Sequence, residues 1–226
     1  AAFIAEPIQG VGGVVEMPAG YLKSAYEFVR SSGGICISDE VQTGFGRTGE
    51  NFWGFESNGV VPDMVVMAKG IGNGCPLAAV VTTKEIAQAM TEAIHFNTFG
   101  GNPVSCAQGL ASLEVILDDD MQGNSKRLGA TLLSGLHALQ EKYVCIGDVR
   151  GKGLMIGIEL IEDENKTPAT ELTAAIFETC KDMGLIIGKG GYFGNVLRIK
   201  PPMCINEEDV EFVLQVFDEA FAKETN

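Results

Sequence analysis

Asp39 and Lys69 stand thirty residues apart, each at the end of an apolar run. Gly34-Ile35-Cys36-Ile37-Ser38 leads into Asp39, and Val65-Val66-Met67-Ala68 leads into Lys69. Both runs read as short buried strands that carry one charged residue at the C-terminal tip. A charge is costly to bury without a partner. In α/β sheets the C-terminal strand ends are where ligands bind. An acid and an amine delivered to one edge suit a site that needs both. The simplest such site takes pyridoxal phosphate: the lysine forms a Schiff base with its aldehyde, and the aspartate holds a proton on its pyridine nitrogen.

The elements that would position this pair alternate. A strand over residues 3–8 precedes a turn at Gly10 to Gly13 and a helix from Pro18 through Val29. Gly33-Gly34 stops that helix before the Asp39 strand. Residues 42–62 carry Gly44, Gly46, Gly49, Gly54, Gly59 and Pro62 and read as one long ordered loop, a kind of segment that is usually functional. After the Lys69 strand come a strand over Leu77–Thr82, a helix over Lys84–Ala93, a loop at Asn97–Pro103 and a helix from Val104 to Leu117. Strand–helix alternation of this kind implies an α/β fold with a mostly parallel sheet. A second, α+β unit follows. It has helices over 125–141, 170–183 and 207–222 and strands near 146–150, 154–160, 185–188 and 196–199. The reading places one domain over residues 1–120 and another over 121–226.

Composition narrows the class. Of the 226 residues 46% are hydrophobic, enough for a real core, and 30 acidic against 16 basic residues give a net charge of −14. That balance argues against nucleic acid as a partner, since such a protein needs a basic face. The acidic runs Asp118-Asp119-Asp120 and Glu162-Asp163-Glu164 read as solvated ends and loops. No apolar run is long enough to span a membrane. Six scattered cysteines without a CxxC pair read as reduced core thiols, and His95 and His137 are too isolated for a metal site. The chain opens on Ala1-Ala2-Phe3-Ile4-Ala5, already strand-like and without an initiator Met, so it reads as beginning partway through a larger domain.

Gly44-Phe45-Gly46-Arg47-Thr48-Gly49 has the letters of a dinucleotide fingerprint. The fingerprint also requires a helix opening at the motif, and residues 51–62 show no helical period. A different set of words carries more. Glu6-Pro7-Ile8-Gln9-Gly10, Asp39-Glu40-Val41-Gln42-Thr43-Gly44-Phe45-Gly46-Arg47-Thr48-Gly49, Ala68-Lys69-Gly70 and Thr98-Phe99-Gly100-Gly101-Asn102-Pro103 follow one another in that order. Together they resemble the class-III aminotransferases, a branch of the fold-type-I pyridoxal-phosphate enzymes. Phe96 to Pro103 and Arg150-Gly151-Lys152-Gly153-Leu154-Met155-Ile156-Gly157 look most like the mitochondrial alanine–glyoxylate members.

The resemblance implies a partial large domain followed by a small C-terminal domain, and it implies roles. Lys69 would carry the cofactor and move the proton at the substrate Cα, a task that suits a desolvated amine. Asp39 would pair with the ring nitrogen, Val41 would press on one ring face, and Gln42 would donate to the ring's phenolic oxygen. Thr98 would reach the cofactor phosphate of a neighbouring subunit, so a homodimer is expected. Arg198 would clamp the substrate carboxylate bidentately. Glu6 matches a position that pairs with that arginine in some relatives, or else is a structural acceptor. Arg47 would tie down the long loop.

The implied activity is ping-pong transfer of an amino group from alanine or a related donor to glyoxylate or pyruvate, in mitochondria or, alternatively, the cytoplasm. Two rivals stand beside it. One is a phospho-lyase or another class-III transaminase on the same scaffold. The other is a catalytically incompetent half-enzyme that acts as a binding or dimerisation partner, because the resemblance covers only the C-terminal half of such an enzyme.

Overall fold

The computed structural model describes residues 1–92 and 94–225. In chain order the strands are β1 (Ala2–Ala5), β2 (Ile8–Gln9), β3 (Val15–Glu16), β4 (Ile35–Asp39), β5 (Met64–Met67), β6 (Ala79–Thr82), β7 (Ile146–Lys152), β8 (Met155–Leu160), β9 (Gly188–Gly190) and β10 (Val196–Ile199). The α-helices are α1 (Tyr21–Ser31), α2 (Lys84–Ala89), α3 (Pro103–Asp118), α4 (Met121–Lys142), α5 (Thr170–Asp182) and α6 (Glu207–Glu224).

The chain forms two compact units. The first comprises residues 1–7, 17–46 and 51–120; the second comprises 8–16, 47–50 and 121–226. The first unit holds a four-stranded sheet in the order β1-β4-β5-β6. β1, β4 and β5 run parallel, with Ala5 beside Ser38 and Asp39 beside Val66, and β6 returns antiparallel. This is the mostly parallel sheet that the alternation implied. α1 covers it by burying Leu22 and Tyr26 against Cys36 and Val60, with Phe3, Ala5 and Val29 packed around them. Burial pushes the Tyr26 hydroxyl up to about 12, as expected for a phenol whose anion would lose solvation.

The expected strand over 3–8 is cut in two. Pro7 has no N–H to give a ladder and restricts the residue before it, so β1 ends at Ala5 and Glu6 falls just beyond it. α3 starts where the sequence signals a start. The Asn102 side chain accepts from Ser105 N at 3.0 Å, and Pro103 occupies the first turn, where its missing N–H costs nothing. The helix expected over Lys84–Ala93 is α2 plus a short 3-10 turn through Glu92, and Ala93 lies outside the described residues.

The second unit pairs a sheet in the order β7-β8-β10-β9 with α4, α5 and α6. Its core is one large apolar cluster: Leu128, Leu132, Leu136, Ile156, Ile158, Leu160, Ile176, Leu197, Phe217 and Phe221 are all buried. Burying such side chains contributes roughly 1.5–3 kcal/mol each, which conformational entropy largely offsets. α6 begins with a reciprocal cap, Asn206 and Asp209 each bonding the other's backbone. The strand expected near 185–188 is displaced. Gly184, at φ +88°, and Leu185 close the end of α5 through bonds to Lys181 and Cys180 carbonyls. The apolar run Leu185-Ile186-Ile187 is therefore a connection, and β9 starts only at Gly188.

Candidate active site

Three of the residues singled out in the sequence stand at one edge of the first unit. β1, β4 and β5 are neighbours and parallel, so their C-terminal ends share a side. Glu6 is one residue past β1, Asp39 is the last residue of β4, and Lys69 is two residues past β5. β6 starts at the same edge, where Ala79 faces Met67. An acid at the tip of β4 and an amine two residues past its hydrogen-bonded neighbour β5 meet what a pyridine nitrogen and an aldehyde each require. By the chemistry of this donor set, the residues fit pyridoxal phosphate.

Lys69 departs from expectation in two ways. The strand stops at Met67, because Lys69 adopts φ +48° and opens a 3-10 turn closed by Gly72 and Asn73 amides on its carbonyl. A left-handed residue cannot continue a strand. Lys69 is also exposed, so the described residues do not supply the desolvation expected of it. The backbone strain is real: an L-residue with a Cβ pays to sit in this region, and such strain gathers at functional positions.

Asp39 is half-buried and its Oδ1 accepts from Val41 N at 3.0 Å. That bond turns the chain sharply out of β4 and leaves the other carboxylate oxygen to serve a second partner. Val41 and Gln42 follow, both half-buried. Gln42 Nε2 donates to Glu6 Oε2 at 3.2 Å, so two residues picked for separate tasks touch each other. Thr98 stands apart on an exposed turn. That turn is held by Asn97, whose Oδ1 accepts from Phe99 N and Gly100 N at 3.2 and 3.1 Å.

Glu40 is the residue that sequence reasoning missed. It is completely buried and accepts four hydrogen bonds. Oε1 takes Ser38 Oγ at 3.1 Å and Phe55 N at 2.8 Å; Oε2 takes Thr43 Oγ1 at 2.7 Å and Gly54 N at 2.8 Å. One carboxylate thus fastens the strand tip, the start of the long loop and its far side together. Phe45, Phe52 and Trp53 pack edge-to-face beside it. Gly44 leaves room for this cluster, since a Cβ there would meet Trp53 at 2.9 Å. The available signal was an acid next to Asp39 with no basic residue nearby in sequence, followed by a hydroxyl at Thr43. Residues 44–49 form turns with no α-helix opening among them, which removes the dinucleotide-motif geometry.

Arg47 and Arg198 belong to the second unit. Arg47 Nη1 donates to the Pro201 and Leu154 carbonyls at 2.5 and 3.3 Å. Burial pulls its pKa down to about 10, because a guanidinium among carbonyls loses water faster than it gains countercharge. It pins residues 47–50 to this unit, the structural role expected. Arg198 lies in β10, half-buried, with Nη1 donating to the Gly10 carbonyl at 3.1 Å.

Proteins similar to this chain are known both by sequence and by structure. The sequence model of the family "Aminotransferase class-III" matches residues 1–221. The mitochondrial alanine–glyoxylate aminotransferase 2 homolog 2 of Arabidopsis thaliana is 55% identical over 99% of this chain and 47% of its own length. A phospholyase from Arthrobacter, solved with phosphoethanolamine, superposes with a TM-score of 0.94 at 38% identity, covering 98% of this chain and 53% of that one. An amine transaminase from an uncultivated Pseudomonas species, solved in its PLP-bound form, gives 0.90 at 36% identity, covering 99% and 52%. The chain spans about half the length of the curated relatives it matches.

Proposed function

The chain belongs to the class-III aminotransferases, and on that premise we propose that it is the C-terminal half of an alanine–glyoxylate-type transaminase using pyridoxal phosphate. The observation that carries the reading is the convergence of Glu6, Asp39 and Lys69 just past three adjacent parallel strands. Pyridoxal phosphate held there would supply an electron-withdrawing ring that makes the substrate Cα proton acidic. The Lys69 amine takes that proton and returns it. Asp39 would hold the proton on the ring nitrogen, Val41 would lie against one ring face, and Gln42, bonded to Glu6 here, would donate to the phenolic oxygen. Arg198 binds the substrate carboxylate, and Thr98 serves the phosphate of a second subunit.

We assign residues 1–120 to the C-terminal part of the cofactor domain and residues 121–226 to the small domain, with residues 8–16 and 47–50 grouping with the latter. A homodimer is supported by apolar side chains left exposed on α3: Val104, Leu110 and Leu117 are each more than half exposed, and such a surface favours a partner. The mitochondrial name of the Arabidopsis relative supports a mitochondrial address.

The test is turnover: alanine and glyoxylate are supplied with cofactor, and pyruvate is followed by a coupled reduction. Pyruvate formed with an equal amount of glycine supports the reading, and its absence at every chain concentration refutes it for this chain. The likeness to the Arthrobacter phospholyase favours one second reading, phosphate elimination from an amino-alcohol phosphate. Release of inorganic phosphate from phosphoethanolamine, without pyruvate from alanine, would establish that reading instead.

A further inference from the structure

Arg198 differs from Arg150, the other strand-borne arginine of its unit. Arg150 spends its donors on the fold: Nε and Nη2 reach the Gly13 carbonyl, and Nη1 pairs with Asp148 and Glu159. Among the described residues Arg198 has a single hydrogen bond, to Gly10, and no carboxylate partner. Its Nε is covered and unpartnered. A structural guanidinium does not leave a buried donor idle, because an unmade bond on a covered charge is costly.

β9 explains how this state is held. β9 and β10 are antiparallel, with Gly190 facing Val196 and Gly188 facing Arg198. A Cβ on Gly190 would stand 2.8 Å from Arg198 Cδ, 2.9 Å from Nε and 2.7 Å from the Val11 carbonyl oxygen. The stem of Arg198 therefore occupies the volume that a side chain at 190 would fill. The Gly10 carbonyl fixes the guanidinium from the other end. A Cβ on Gly188 would lie 3.4–3.6 Å from the nearest Arg198 atoms, an ordinary contact.

We propose that Gly190 is a positioning residue for carboxylate recognition: its missing side chain lets Arg198 lie along β9 in one orientation, anchored to Gly10, with the guanidinium held ready for a ligand carboxylate. This rests on the transaminase reading above and adds to it a determinant of selectivity for carboxylate-bearing substrates. A mispositioned guanidinium keeps its charge and loses its fork geometry.

The test compares the chain with Gly190→Ala and Gly188→Ala, using phenylglyoxal modification of Arg198 read by peptide mass spectrometry. Pyruvate well above its Kd should slow modification about tenfold in the parent chain and in Gly188→Ala, with protection lost in Gly190→Ala. Acetone, of similar size without a carboxylate, should protect none of them. Equal protection in Gly190→Ala, or none in the parent chain, overturns the inference. If Gly190→Ala fails to fold, the Arg198 Nε–H resonance decides. It should exchange with water far more slowly than that of exposed Arg127, and equal exchange rates overturn the inference. Borohydride trapping of cofactor on Lys69 in the same sample separates the two readings. An adduct without Arg198 protection sinks only the Gly190 role, whereas protection without an adduct sinks the transaminase reading.

Discussion

Replacing Lys69 by glycine should make the protein more stable while removing the amine proposed to hold the cofactor. Lys69 sits at φ +48°, where a residue with a Cβ pays roughly 1–2 kcal/mol. Glycine adopts that region freely, but it adds about 0.4–1 kcal/mol of unfolded-state entropy. At the middle of both ranges the net gain is about 0.8 kcal/mol relative to Lys69→Ala, which removes the same amine and keeps the strain. For a chain of this size that is a rise of roughly 1–4 °C in Tm. The assay is thermal unfolding of both variants without cofactor, at matched concentration. The exposed side chain makes no burial contribution to confuse the comparison. Asn73 is the control: it is also left-handed, at φ +43°, but asparagine tolerates that region, so Asn73→Gly should gain little. Equal melting of Lys69→Gly and Lys69→Ala would refute the claim that backbone strain is stored at this lysine.

Three further outcomes follow from the packing. Glu40→Gln replaces one accepting oxygen of a four-bond hub by a donor that faces donors, and should cost about 2–4 kcal/mol in urea unfolding; a loss below about 1 kcal/mol would contradict the hub. Gly129→Ala should destabilise by about 1–3 kcal/mol despite alanine's helix propensity, because the new Cβ would meet the Gly153 carbonyl oxygen at 2.3 Å; a higher Tm would refute that contact. Burial alone would raise the Asp63 pKa, but the Cys36 amide and Arg30 more than offset it and hold the carboxyl below its ordinary 3.8. A depressed carboxylate stabilises the fold above its unfolded pKa and loses that contribution as pH falls through its folded one. Asp63→Asn should therefore flatten the loss of stability below pH 3.8, and an unchanged acid limb in chemical denaturation would refute it.

The parallel sheet, most of the helices and the strand-tip acid were legible because each is written locally. The Asp39 and Lys69 runs are short, apolar and ended by charge, and the helices read from Val104 and residue 207 start within one residue of their observed starts at Pro103 and Glu207. What was not legible depends on distant partners. Leu185-Ile186-Ile187 has the composition of a strand, yet it closes α5, because pairing with β10 falls to the residues after it. Glu40 looks like any acid in a loop until residues 43, 54 and 55 fold back onto it. The left-handed turn at Lys69 has no signature in the lysine itself. The Gln42–Glu6 bond joins residues 36 positions apart, and no local pattern encodes it.

The central claim is that the edge formed by β1, β4 and β5 holds pyridoxal phosphate on Lys69. Incubation with the cofactor, borohydride reduction and peptide mass spectrometry tests it directly, on the parent chain and on Lys69→Ala. A pyridoxyl adduct confined to Lys69 and lost in the variant is the predicted result. Labelling spread over surface lysines, or unchanged in Lys69→Ala, would contradict it.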